Sequence, residues 1–207
     1  MVITRTRARY RFTPDQHARA AALGIAAHDD HRFTTDEYDR MIEAGVIREG
    51  TRVELIEGEI VEMAPMGHRH FRCISLLNAI ISDNRPTGSV VSVQCPILLT
   101  DNSEPEPDLM LVRDLDMILT KATPADILFL IEVADTTIDE DRHQKLPRYA
   151  RAGIAEAWLV DINAGIIERH SEPRDGQYGQ KATAHAGESL ASTVVPGIVI
   201  PVADVLR

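Results

Sequence analysis

The run Ile127-Leu128-Phe129-Leu130-Ile131-Glu132-Val133 constrains this chain more than any other segment. Its first five residues are the longest uninterrupted apolar stretch. A bilayer span needs roughly 20 such residues, so this run must be covered by protein instead. A short run that is apolar on both faces reads as a strand at the centre of a sheet. Into that strand the chain places one carboxylate, Glu132. Burying an acid is costly unless it is paired or coordinated, so Glu132 needs a reason.

The flanking sequence supplies the remaining elements. Pro14–Leu23, after Thr13, suggests a short helix, although residues 1–30 look weakly specified and are set apart as an arm. Thr34 and Glu37 form a capping box that opens a second helix, closed at Gly45. Residues 52–56 and 59–63 are β-type runs around Glu57-Gly58, a two-residue hairpin signal. Residues 70–84 repeat apolar side chains at helical spacing, and residues 89–99 read as a strand bulged or edged by Pro96. Strands are expected at 108–112, 157–160, 166–170, 178–184 and 194–200. Residues 139–152 read as helix, with Pro147 suited to a first turn and Gly153 to the end. This order predicts one mixed α/β or α+β domain over residues 31–207.

Composition removes whole classes of function. The 207 residues are 44% hydrophobic and 26% charged, enough for a full core. No secretory signal is visible, and Cys73 and Cys95 fit no ligand spacing. Both cysteines read as buried reduced thiols, which points to a cytoplasmic protein with no membrane partner. The formal charge of −10 is uneven, because residues 1–28 carry +4 and the rest −14. Such an acidic body does not coat nucleic acid by charge alone, yet a nuclease site is itself acidic. The alternation Arg5-x-Arg7-x-Arg9-x-Arg11 suits either an arm reaching phosphates or a solvated tail or strand edge.

Pro107-Asp108 opens one apolar strand and Glu132 lies near the end of another. If the strands are neighbours, the two carboxylates repel unless a proton or cation lies between them. Oxygen ligands favour Mg²⁺ or Mn²⁺ over zinc, and the Val133 carbonyl offers a third oxygen. Lys145, one of three lysines, follows by a short loop and can turn back toward the acids. The pair His68-x-His70 lacks the third soft ligand that zinc would want. Tyr149 and Trp158 read as packing residues.

These residues, taken in order, resemble a known family. Pro107-Asp108, Leu130-Ile131-Glu132-Val133-Ala134, the stretch Lys145 to Gly153 and Glu156-Ala157-Trp158-Leu159-Val160-Asp161 are similar to Uma-type restriction endonucleases of the PD-(D/E)XK nuclease superfamily. The stretch Val53 to Pro65 and His70 add to the likeness, which covers about residues 33–206 and leaves 1–30 outside. The resemblance implies a restriction-endonuclease-like core, with a central mixed β-sheet flanked by helices. It implies a divalent-metal site with Asp108 as motif aspartate and Glu132 as motif acid. The superfamily's lysine stands two residues after that acid, where this chain has Ala134. In this family it has moved to the following helix, the place Lys145 occupies. Glu59 and His70 match a family acid and histidine that complete the metal shell or hold a water. Where the family carries Ser-Pro-Ser, this chain has Asp135-Thr136-Thr137 after Ala134, with one more carboxylate.

The function implied is an Mg²⁺- or Mn²⁺-dependent endonuclease cutting nucleic acid, DNA first, as a homodimer. Two other readings stay open: a catalytically inactive nuclease fold used for binding or scaffolding, and a hydrolase of small phosphoesters.

Overall fold

In the computed structural model, which describes residues 8–28, 30–113 and 121–206, the chain divides into two units. The larger holds residues 66–97 and 106–206. Its centre is a six-stranded sheet in the order β3 (Val90–Val93), β4 (Leu109–Val112), β5 (Ile127–Ala134), β6 (Glu156–Asp161), β7 (Ile166–Arg174) and β8 (Gln177–Ala184). Only β5 and β6 run parallel, so the sheet is mixed, as expected. A parallel pair needs a crossover. Here the chain makes it through α4 (Ile138–Glu140), a π-helical turn (Asp141–Lys145) and α5 (Leu146–Arg151).

The central strand is β5, the apolar run itself, and its residues are almost all buried. Alternate residues of a strand face opposite sides. Phe129, Ile131 and Val133 therefore join Leu109 and Leu111 in one core, against Cys73, Ile74, Leu77 and Ile81 of α3 (His68–Asn84). Glu132 faces the other side, where Lys145 and Tyr149 reach it. A small antiparallel pair, β9 (Ser189–Ala191) with β10 (Val199–Pro201), and α6 (Val202–Val205) complete the α3 side, through Leu190, Ile198, Ile200, Val202 and Val205.

The smaller unit holds residues 8–65 and 98–105. Its helices α1 (Pro14–Ala22) and α2 (Thr35–Glu43) both begin with complete capping boxes, Thr13 with Gln16 and Thr34 with Glu37. Its hairpin joins β1 (Val53–Ile56) to β2 (Glu59–Glu62), and both turn residues, Glu57 and Gly58, have positive φ, as a two-residue turn of this hand requires. The stretch read as an arm contributes, among its described residues, Ala20, Ile25 and Ala27 to a core shared with Phe33, Tyr38, Met41, Leu55 and Ile60. Residues 8–10 lie along β2, with Tyr10 N–H on the Ile60 carbonyl and Glu62 N–H on that of Ala8. The described part of the arginine alternation is thus a strand edge. Arg5 and Arg7 lie outside the described residues.

Four local expectations are corrected. The strand expected over 89–99 stops at Val93, because Gln94 takes a positive φ of 48° and turns the chain. That turn leaves Cys95 exposed, whereas Cys73 is buried as expected. Residues 194–198 are not strand; only Val199–Pro201 pair, with the unforeseen β9. The helix expected over 139–152 is broken into a short helix, a π-helical turn and α5, with Pro147 in α5's first turn.

Candidate metal centre

Pairing of β4 with β5 sets Leu109 opposite Ile131. Asp108, one residue before β4, therefore comes level with Glu132. Both acids are buried, with exposures of 8% and 2%. Asp108 Oδ2 accepts hydrogen bonds from the Val133 N–H at 2.8 Å and His70 Nε2 at 3.0 Å. Its Oδ1 accepts a longer one, 3.4 Å, from Gln94 Nε2. Burial alone would raise the Asp108 pKa. The bond and charge of His70, with the charge of Lys145, outweigh burial and hold the carboxyl below its ordinary value. Burial opposes protonation of His70, but Asp108 prevails and raises its pKa.

Glu132 is held from the crossover. Lys145 Nζ donates to its two oxygens at 2.9 and 3.0 Å, and the Tyr149 hydroxyl donates to Oε1. A π-helical turn carries one extra residue per hydrogen-bonded ring, and here it ends on Lys145, whose side chain is buried against Glu132. Burial raises the Glu132 pKa to about 7; Lys145 works against this, while the charges of Asp141 and Asp108 reinforce it. Asp141 is itself buried and accepts the Thr137 hydroxyl at 2.6 Å.

Asp108, Glu132, Lys145 and His70, all named from sequence, thus meet in one place, and Val133, named for its carbonyl, joins them through its N–H. Glu59 belongs to β2 of the smaller unit, where Arg9 and Arg32 pair with it. Tyr149 was read as packing, yet it touches Glu132. Its spacing of four from Lys145 was the available signal. Asp141, four residues before Lys145, carried the same signal. Gln94 offered none, since its place depends on the β3–β4 pairing and on its own positive φ.

Among the described residues no group of three or more His, Cys, Asp or Glu forms a ready metal cage. The donor set nevertheless suits a hard divalent cation. Three carboxylates, Asp108, Glu132 and Asp141, share the field of a single lysine, and their mutual repulsion helps raise Glu132. A cation beside Asp108 and Glu132 removes that repulsion. Mg²⁺ is held by one or two carboxylates and keeps several waters, so it needs no all-protein cage.

Comparisons with known proteins agree with this fold. The family model "Uma2: Putative restriction endonuclease" matches residues 35–203. A crystal structure described as "a putative nuclease belonging to DUF820" from Anabaena variabilis superposes with a TM-score of 0.62 at 14% identity, covering 84% of this chain and 97% of that one. At that identity the likeness speaks for the fold. No curated protein matches. No described helix is long and apolar enough to cross a membrane. With the matched segment spanning both carboxylates, Lys145 and the whole six-stranded sheet, the chain belongs to the Uma2 family.

Proposed function

We propose that this protein is a divalent-metal-dependent endonuclease that hydrolyses phosphodiester bonds in nucleic acid. The observation carrying this reading is the cluster of buried Asp108, Glu132 and Lys145 with half-buried His70, brought together by two adjacent strands, a helix and a π-helical turn. DNA is the proposed polymer, Mg²⁺ the proposed ion and a homodimer the proposed state, all three on the strength of the family.

Asp108 and Glu132, with the Val133 carbonyl, would hold the ion. A bound divalent ion polarises the phosphoryl oxygens and makes bound water more acidic. The rest of the chemistry falls to the chain. Lys145 is a buried ammonium, and beside a phosphate it offsets the charge that builds on the non-bridging oxygens. The Tyr149 bond fixes the Glu132 carboxyl so that Lys145 need not. His70, its protonated form favoured, orients Asp108 through Oδ2 and leaves Oδ1 to other partners. Its Nδ1 has no hydrogen-bond partner among the described residues and can position a water.

One observation favours the inactive reading: Lys145 already occupies both Glu132 oxygens. Calorimetric titration with Mg²⁺ and Mn²⁺ separates the two. The wild type is expected to bind, and the double variant Asp108→Ala, Glu132→Ala to lose binding and cleavage together. Equal titrations for both proteins would overturn the catalytic reading and leave the binding or scaffold role.

A further inference from the structure

The first turns of α3 divide their side chains between two places. His70 turns to Asp108. His68, Arg69 and Arg72 instead line a cleft of about 420 Å³ together with Ile162, Val205 and Leu206. Its lining thus combines basic and apolar side chains, in a chain whose formal charge is −10.

Arg69 is fixed in advance. Its Nη1 donates to Asp135 Oδ1 at 3.1 Å and Asn163 Oδ1 at 2.9 Å, and its Nη2 donates to the Ile162 carbonyl at 3.1 Å. A guanidinium has five N–H donors, so these three bonds orient the group and leave donors for a ligand. A planar guanidinium held this way suits the paired oxygens of a phosphate. Asp135, the extra carboxylate after the motif acid, is thereby engaged with Arg69, three residues beyond Glu132.

Cys73, in the wall of the cleft, is close enough to Asp108 for that charge to add to burial in pushing the thiol up to about 12, against a smaller opposing effect of Arg72. A cavity of this size accepts a small organic ligand. A phosphate needs the basic side chains, and the sugar and base of a nucleotide suit the apolar ones.

We propose that this cleft receives one nucleotide unit of the bound strand, its phosphate on Arg69, Arg72 and His68 and its sugar and base against Ile162, Val205 and Leu206. The proposal deepens the nuclease reading and rests on it for the identity of the strand. Arg72 and His68 are solvent-exposed on α3, so their replacement leaves the core intact.

The test is calorimetry on the full chain in EDTA, with thymidine 5′-monophosphate, thymidine and inorganic phosphate as probes. The monophosphate should bind more tightly than either fragment. Arg72→Gln should weaken it about tenfold, the size of one charge-assisted hydrogen bond, and His68→Gln should weaken it less. Equal binding of thymidine and its monophosphate, or indifference to Arg72→Gln and His68→Gln, overturns the proposal. The two readings fail separately. If the wild type cleaves DNA with Mg²⁺ while monophosphate binding ignores Arg72, the cleft assignment falls and the nuclease reading stands. If monophosphate binding depends on Arg72 and nothing cleaves DNA, the cleft stands as a nucleotide site and the nuclease reading falls.

Discussion

Two glutamates of the six-stranded sheet, Glu132 on β5 and Glu168 on β7, are buried to nearly the same degree, 2% and 3% exposed. Their carboxyls are driven in opposite directions. Burial would raise both, and at Glu132 it prevails, to about 7. At Glu168 the bonds of His170 and Lys181 and the charges of Arg142 and Lys181 outweigh burial and pull the pKa down to about 2. The difference lies both in depth, Glu132 being the more completely desolvated, and in the neighbours. Glu168 is one acid among three basic side chains, with Lys181 at 2.6 Å, His170 at 3.1 Å and Arg142 at 3.2 Å. Glu132 is one of three acids that share one lysine and His70. A cluster whose charge is already satisfied ties strands together. A cluster with surplus negative charge is suited to a cation and to chemistry.

The sharpest way to break that comparison is to remove one member of each ion cluster. Lys145→Met should lower nuclease turnover about a hundred- to a thousandfold, as loss of a group that meets developing charge does. Its effect on stability should be small, because Glu132 can take up a proton instead. DNA cleavage assays and urea melts on the same preparation check both parts. A large loss of stability with turnover retained would make Lys145 a structural partner like Lys181.

Glu168→Gln should do the reverse. Removing a buried carboxylate from its cations costs about 3–5 kcal/mol in a closed site. Here the figure should be nearer 2 kcal/mol, since Lys181 and Arg142 are part-exposed and can rehydrate. Urea unfolding at pH 7 should show that loss, and Mg²⁺ titration should be unchanged. A variant that keeps its stability but binds Mg²⁺ differently would collapse the distinction between the two clusters.

The reason so much of this was legible in sequence is that the carboxylate pair depends on local patterns. An apolar run broken by one acid fixed β5 and Glu132, and a Pro-Asp step fixed Asp108 at the mouth of the next strand. A strict alternation of faces then brought them level once β4 and β5 paired. What was not legible depends on backbone departures that side-chain patterns do not encode. The positive φ of Gln94 ends β3 early and sends its amide to Asp108. The π-helical turn replaces the regular helix expected before Pro147. The Glu168 cluster was missed because Arg142, His170 and Lys181 come from separate elements and meet only in the fold. The family likeness carried Lys145, since spacing alone could not choose between a surface lysine and one buried against Glu132.

Acidity separates the two clusters next, with opposite signs. Glu168 has a depressed folded pKa, so its stabilisation is complete above about 4.5 and is lost as the pH falls toward about 2. Glu132 has a raised one, so without metal its contribution is complete below about 4.5 and is lost as the pH rises through about 7. Thermal melts in EDTA across pH 3 to 8 should show both limbs. Glu168→Gln should flatten the acid limb and Glu132→Gln the neutral one. A single limb abolished by either variant would mean that the clusters titrate as one unit.

The smallest expected effect discriminates most finely within the candidate site. Tyr149→Phe deletes one hydroxyl, whose bond to Glu132 Oε1 lies wholly in the interior. One neutral-to-charged hydrogen bond is worth about 1.5–3 kcal/mol, but Lys145 keeps both Glu132 oxygens partnered, so the stability loss should be close to 1 kcal/mol. If the hydroxyl only fills space, the neutral limb of the melting profile stays where it is. If it holds the Glu132 carboxylate, as its bond implies, losing it removes a donor that favours the ionised form, and the limb moves to higher pH. Mg²⁺ affinity should then fall several-fold at pH 6 and recover at pH 8, where Glu132 is ionised with or without the hydroxyl. A pH-independent loss would instead mark Tyr149 as packing beneath the site.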